Sequence, residues 1–147
     1  MKSLLDQNTC NEVLNRLYKS NEEMQASWGK MNVSQMLNHC QLPLKIALKS
    51  EPIKSSFNPI MRLFKKSMYN DSTWRKNLPT AKGFVIKETK NFKQEKEALK
   101  SMIVAFQGKK LDTEWNPHPL FGKFTPEQWG KMQYKHLDHH FHQFGFE

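Results

Sequence analysis

The sequence predicts an all-α fold, a four-helix bundle, from two observations. Four long segments repeat apolar residues at helical spacing between capping residues, and nothing else alternates as convincingly as a strand would. A connection of about 40 residues (50–89) separates the second and third helices, which is long enough to cross the length of a bundle. Those two helices can then run parallel, so we expect the order up-down-down-up.

The first two helices are predicted from their capping residues. Thr9 opens a capping box ahead of apolar residues at helical spacing, which predicts a first helix near 9–20. Asn32 and Gln35 open the second helix in the same way. Pro43 lies inside this second helix and is expected to kink it or to cost stability.

The last two long helices carry clearer signals at their ends. The third is predicted over 90–107, with Gly108 as its stop. The fourth runs over 125–144, with Thr125 as its N-cap and a proline directly after it. Gly145 is expected to end this helix.

The two long connections carry weaker signals. The crossover between the second and third helices contains a segment near 59–69 that predicts a short extra helix. A short strand at Phe84–Ile86 is a weak prediction in the same connection. The segment 108–124 is interpreted as an ordered loop.

Length, charge and cysteine content limit the class of protein. Cys10 and Cys40 do not make a disulfide scaffold, and both fall at apolar helical positions, where we expect small buried thiols. The 147 residues are expected to form one domain over 1–147. No window reaches 18 apolar residues, so no membrane-spanning helix is expected. The first residues lack the apolar stretch of a signal peptide, and we expect a cytoplasmic protein. The net charge of +9 permits an anionic partner without identifying one.

The histidines are the most informative feature of the sequence, because four of the six lie within seven residues of the fourth helix. His136 and His140 are four residues apart and share a helix face. His39 lies at the edge of the apolar stripe of the second helix. If those helices are antiparallel, the three imidazoles lie at one level and predict a shared metal site. Semi-buried histidines that are merely hydrogen-bonded remain the alternative.

Three neutral imidazoles facing an interior indicate the chemistry of such a site. They suit Zn²⁺ best, and Ni²⁺ is a second candidate. Three protein ligands leave one coordination position open, which is the pattern of catalytic rather than structural metal sites. A metal there could acidify a bound water or a substrate thiol.

Four further residues are candidates for the surroundings of the site. His118 could be a fourth ligand, a neighbour of the ligands or part of a loop turn. His139 is expected at the rim of the site. Trp28 could form a wall of a pocket, and Trp129 shares the face of the ligands, although tryptophans at such spacing are more often core residues.

The sequence also resembles the DinB-like (YfiT-like) metalloenzyme superfamily, and specifically a small bacterial branch of unknown function. The resemblance covers essentially the whole chain and is carried by four segments: Trp28–Cys40, His118–Gly122, Glu127–Gly130 and His136–Gly145. It implies an up-down-down-up bundle, a divalent metal on His39, His136 and His140, and a homodimer. Characterised relatives transfer low-molecular-weight thiols such as bacillithiol, mycothiol or glutathione, and others are regarded as hydrolases.

Two functions of different classes follow from these observations. We expect a metal-dependent enzyme acting on a small-molecule substrate, with transfer of a low-molecular-weight thiol as the leading reaction and hydrolysis as the second. The alternative is a non-catalytic module whose basic residues, such as Arg75, Lys76 and Lys82, bind an anionic partner. Nucleic acid is not favoured as that partner, because the chain has neither zinc-finger spacing nor a recognisable helix-turn-helix.

Overall fold

The structure, a computed structural model, describes residues 1–48, 59–80, 82–111 and 114–147. These ranges are all-helical and contain no strand. They hold five α-helices: α1 (Gln7–Lys19), α2 (Val33–Leu48), α3 (Pro59–Leu63), α4 (Phe92–Gly108) and α5 (Pro126–Phe144). Short 3₁₀ turns cover Lys65–Met68, Lys82–Phe84 and Lys109–Leu111. Among these helices, none combines the length and the apolar character needed to cross a membrane.

The predicted start of α2 is confirmed, and α1 lies within two residues of its predicted range but has a different N-cap residue. The Gln35 N–H donates to Asn32 Oδ1 at 2.9 Å, and the Asn32 N–H donates back to Gln35 Oε1 at 3.0 Å. α1 instead begins at residue 7, because the Asp6 carboxylate accepts from the Thr9 N–H at 2.9 Å. An earlier capping residue thus places Thr9 inside the first turn rather than at the N-cap.

The ends of α5 are confirmed in detail, and those of α4 to within two residues. Thr125 and Gln128 form the reciprocal capping box that opens α5, and Gly145 ends it in the left-handed conformation with φ 70°. α4 is capped by the side chain of Asn91. Gly108, predicted as the stop, is its last residue.

In the crossover, the predicted short helix is present and the predicted strand is absent. The helix expected near 59–69 is present as α3 followed by the 3₁₀ turn at 65–68, while 49–58 lie outside the described residues. The strand at Phe84–Ile86 is wrong. The described residues offer no strand for it to pair with. The Val85 N–H instead closes a 3₁₀ turn onto Lys82, and the Phe84 carbonyl accepts from a side chain of α2.

The four long helices each pack against two others, in the pairs α1–α4, α4–α2, α2–α5 and α5–α1. Near its start, α4 contacts α2 through Glu95, which accepts from Gln41 at 2.6 Å. Lys96 joins the same part of α4 to the end of α1 by donating to the Ser20 carbonyl at 2.8 Å. At the opposite end, Asn116 accepts from the Trp129 indole in the first turn of α5 and donates to the carbonyl of Ile46 near the end of α2.

The core between these helices contains both cysteines, and α2 also contains a buried proline. Both cysteines are buried and free, as expected for small core thiols, and burial raises the pKa of Cys40. Pro43 lies inside α2, which nevertheless continues to Leu48. Because proline has no N–H, the carbonyl of His39 lacks its usual partner one turn later.

Candidate metal centre

Three buried histidines from α2 and α5 meet in the interior and could hold a metal ion. Each of His39, His136 and His140 offers one ring nitrogen, and these atoms lie within 4.8 Å of one another. The ring centroids are 4.8 to 5.0 Å apart. Within the described ranges, no aspartate, glutamate or cysteine joins this cluster. A donor set of three imidazole nitrogens suits Zn²⁺ or Ni²⁺ rather than Mg²⁺ or Ca²⁺, which prefer oxygen ligands.

Hydrogen bonds on the outer side of two rings direct their free nitrogens toward the cluster. His39 Nδ1 lies 2.8 Å from the Phe84 carbonyl, and His140 Nδ1 lies 2.8 Å from Gln143 Oε1. Both oxygens are acceptors, so each Nδ1 carries the proton and each Nε2 keeps its lone pair. Gln143 is held in this orientation because its Nε2 donates to the carbonyl of Trp28. Such outer partners are what metal-binding histidines ordinarily require.

The third ring, that of His136, is held differently. Its Nε2 lies 3.0 Å from His39 Nε2, so without a metal it donates its proton to that nitrogen. With a metal, both Nε2 lone pairs would face the ion and the proton of His136 would lie on Nδ1. That Nδ1 is buried and has no hydrogen-bond partner.

Burial keeps all three imidazoles neutral, which is the form that binds metal. It lowers the pKa of His140 to about 3, and the neighbouring His39 adds to this effect. The pKa of His136 is also well below its usual value, first through burial and then through the neighbouring histidines. The pKa of His39 is lowered by burial, against which its bond to the Phe84 carbonyl acts. A metal would therefore displace few protons when it binds near neutral pH.

An aromatic rim covers one side of the cluster, and we define it as Trp28, Trp74 and His139. The His139 ring lies 5.7 Å from each indole and 5.2 Å from the ring of His140. The Trp74 ring also lies 5.9 Å from that of His136. Two of the residues predicted around the site, His139 and Trp28, thus lie together beside the ligands.

Lysines accompany this aromatic rim. The Lys76 ammonium lies 4.7 Å from the centre of the Trp28 ring and is exposed. Lys135 is buried and donates to the carbonyls of Ser67 and Asn70, and it lies 5.6 Å from the Trp74 ring. Trp74 is therefore held against α5, since its indole N–H also donates to the Ser67 carbonyl. Arg75 and Lys82, the other basic candidates, are exposed.

His118 and Trp129 lie in an aromatic part of the core next to the cluster rather than within it. The His118 ring is stacked on Phe84 at 6.5 Å and lies 5.8 Å from Trp129. Its Nδ1 accepts from the Leu120 N–H at 3.2 Å, and burial lowers its pKa to about 4. Phe84 contacts both His118 and His39, so one ring separates His118 from the ligand set.

Four residues that contact the histidine cluster or its rim were not predicted from the sequence. Gln143 carried a usable signal, because it follows His140 by three residues on the same helix and can reach its ring. Phe84, Trp74 and Lys135 carried none, since the first two come from a connection without periodicity. Lys135 looks like any exposed helix lysine in the sequence, although it is buried.

Gly29 occupies a left-handed backbone position next to Gln143, and this predicts an effect on stability. Its φ is 85°, and a Cβ at this position would meet the Gln143 amide that holds His140. We expect Gly29→Ala to lower the free energy of unfolding by about 1–2 kcal/mol, from the left-handed strain alone. Urea denaturation measures it, with Gly108→Ala as the control, because nothing lies within 4 Å of a Cβ there. Equal free energies of unfolding for the two variants would contradict the backbone strain expected in Gly29→Ala.

Comparison with known proteins gives one match. A family model described as a protein of unknown function (DUF1569) matches residues 1–146. No curated protein matches the sequence, and no solved structure does.

Proposed function

Since the chain belongs to the DUF1569 family, whose function is unknown, its activity has to be inferred from its own site, and we propose that it is a metal-dependent enzyme. It binds one divalent ion, Zn²⁺ or else Ni²⁺, through His39, His136 and His140. The ion activates a low-molecular-weight thiol or a water molecule at its open position. Thiol transfer is the leading reaction and hydrolysis the second.

The observation that carries this proposal is the direction of the ring nitrogens. Three buried, neutral imidazoles turn ring nitrogens toward one another, and two of them are fixed by outer acceptors at 2.8 Å. Purely structural histidines need no common centre, because each can satisfy its two nitrogens separately. A cluster of ligand atoms without a carboxylate fits an ion that prefers nitrogen.

The arrangement of the helices is part of the same proposal. An up-down-down-up bundle places the first half of α2 beside the last part of α5, where the three histidines are found. Four hydrogen bonds support it: those of Glu95 with Gln41, of Lys96 with Ser20, of Asn116 with Ile46 and of Trp129 with Asn116. The resemblance to the DinB-like superfamily implies the same order.

When bound, the ion would supply Lewis acidity that lowers the pKa of a thiol or a water. The protein residues position and shield that reaction. Phe84 and Gln143 hold two ligand rings in place, while Trp28 packs against His139 and Trp74 against His136 on one side of the cluster. The positive charge of Lys76 beside the Trp28 indole favours a small substrate that carries a negative group.

Cobalt substitution tests whether a thiol reaches the open position. We expect Co²⁺-loaded protein to gain a thiolate-to-metal absorption band when glutathione or 2-mercaptoethanol is added, because three histidines leave one position free. Visible and near-ultraviolet titration at pH 7 measures it. The control is His142→Ala, which changes an exposed histidine of the same helix.

Two outcomes of this titration would count against the proposal. A Co²⁺ spectrum that thiols leave unchanged, but that shifts on deprotonation of a bound water, would replace thiol transfer by hydrolysis. A spectrum that neither thiols nor pH alter would mean that the ion has no open position, and the enzyme proposal would fail.

A further inference from the structure

We infer that Gln133 is a positioning residue for His136, whose Nδ1 proton its carboxamide oxygen accepts when the metal is bound. The inference rests on the proposed metal site and assigns a role to a residue outside the ligand set. Neither the motifs nor the charge pattern of the sequence singled out Gln133.

The unsatisfied polar atoms of the interior carry this inference. Gln133 is completely buried in α5, and neither its Nε2 nor its Oε1 has a hydrogen-bond partner. In the described part of the chain, the one other buried side-chain nitrogen or oxygen without a partner is Nδ1 of His136. Buried amides are ordinarily hydrogen-bonded, so an unpaired amide and an unpaired imidazole nitrogen three residues apart on the same helix call for an explanation.

Helix geometry places these two groups together. Residues three apart on a helix have Cβ atoms about 5–6 Å from each other. The side chain of His136 also leans toward the N-terminal end of α5, and therefore toward the turn that holds Gln133. A change of side-chain torsion in Gln133, or one buried water molecule, would connect the Gln133 amide with His136 Nδ1 through hydrogen bonds. Both routes depend on the same amide.

The other two ligands show which partner is missing. His39 donates its Nδ1 proton to the Phe84 carbonyl, and His140 donates its own to Gln143, which lies three residues further along α5. Gln133 precedes His136 by the same number of residues. An amide suits both states of this histidine, because its N–H₂ can donate to a bare Nδ1 and its oxygen can accept from a protonated one.

Substitution of Gln133 separates this role from ordinary packing. We expect Gln133→Met to weaken Zn²⁺ binding about 10-fold, since loss of an outer partner typically costs about 10–100-fold in metal affinity. The metal-free variant is expected to be at least as stable as wild type, because an unpaired amide has been replaced by an apolar side chain of similar length. Gln133→Glu restores the acceptor and is expected to bind Zn²⁺ at least as tightly as wild type.

Competition with a chelator measures the affinity, and thermal unfolding of the metal-free proteins measures stability. The matched control is Gln41→Met, which removes another buried glutamine, one that is already bonded to Glu95. We expect this control to lose stability without metal and to keep its Zn²⁺ affinity. A second readout is the imidazole ¹⁵N–¹H spectrum of the Zn²⁺ protein, in which the Nδ1–H of His136 should exchange faster in Gln133→Met.

The possible results distinguish this inference from the proposed function. If wild-type protein binds no Zn²⁺, the metal site itself is wrong and the inference fails with it. If wild type binds Zn²⁺ and Gln133→Met binds it equally well, the metal site stands and the role of Gln133 is refuted. A loss of metal-free stability with unchanged affinity in Gln133→Met would show an amide that serves packing alone.

Discussion

Replacing both His136 and His140 with alanine is expected to abolish metal binding. Wild-type protein, purified untagged and without an immobilised-metal column, should carry about one divalent ion per chain. The double variant keeps only one nitrogen of the cluster, that of His39, and a single imidazole does not hold a divalent ion at micromolar concentration. The affinity should therefore fall by several orders of magnitude.

Elemental analysis of both proteins measures this effect and identifies the metal. His142→Ala is the matched control, since its side chain is 58% exposed and its Nδ1 bonds the Asp138 carbonyl instead of facing the cluster. A double variant that keeps its full metal content would disprove the ligand assignment. So would a wild-type protein that stays metal-free after reconstitution with Zn²⁺ and Ni²⁺.

The unfolding temperature with and without Zn²⁺ is a second measure of metal binding by the double variant. An ion that binds only the folded state adds about 2.7 kcal/mol to the free energy of unfolding at 100 times its dissociation constant. Added Zn²⁺ should raise the unfolding temperature of wild type and of His142→Ala, and leave that of the double variant unchanged. Circular dichroism without metal checks that the variant keeps its helices, so that loss of binding is separated from loss of fold.

The helix ends that the sequence predicted correctly are those whose signals are local. Asn32 and Gln35, like Thr125 and Gln128, cap through side chains three residues apart, and nothing distant competes with them. The start of α1 was misplaced because two capping residues, Asp6 and Thr9, lie close together, and propensity does not choose between them. A strand depends on a distant partner strand, and the part of the chain that the structure describes contains none for the segment around Phe84.

The candidate site shows the same division between local and distant information. The pairing of His136 with His140 follows from helical spacing, and His39 could be added once the helix order was assumed. The acceptor for His39 comes from a connection 45 residues away, and no periodicity announces it. Asp138 looks like an ordinary helix acid in the sequence, yet it accepts from Arg16 at 2.7 Å across the α1–α5 contact. Charge partners between helices follow from packing, which a single sequence does not specify.

Acid is expected to unfold the metal-free protein, because the lowered pKa values of its histidines make the free energy of unfolding fall with falling pH. In the unfolded chain a histidine has a pKa near 6.5. In the fold, burial lowers the pKa of His118 to about 4 and that of His140 to about 3. Between these values and 6.5 the unfolded chain binds more protons, so the free energy of unfolding falls as the pH falls. Each such imidazole contributes up to about 1.4 kcal/mol per pH unit.

Several groups act together in this pH window. His39, His136 and His139 also have lowered pKa values, mainly through burial, and they steepen the loss below about pH 6. Among the described residues, the carboxyl groups with lowered pKa values are those of the exposed Asp6, Asp71 and Glu127, and they affect stability only at lower pH. We therefore expect cooperative unfolding between about pH 6 and pH 4, with uptake of several protons.

Urea denaturation of metal-free protein at pH 7, 6 and 5 measures how the free energy of unfolding changes with pH. The variant His118→Phe isolates the contribution of one histidine to that change. His118 packs among Phe84, Phe121 and Trp129 and lies outside the ligand set, so phenylalanine suits its surroundings. This variant should lose stability less steeply, by up to about 1.4 kcal/mol per pH unit between pH 6 and 5. A wild-type stability that stays constant from pH 7 to 5 would mean that the imidazoles take up protons within the fold. The histidine ligands would then not be buried in their neutral form, and the proposed metal site depends on that form.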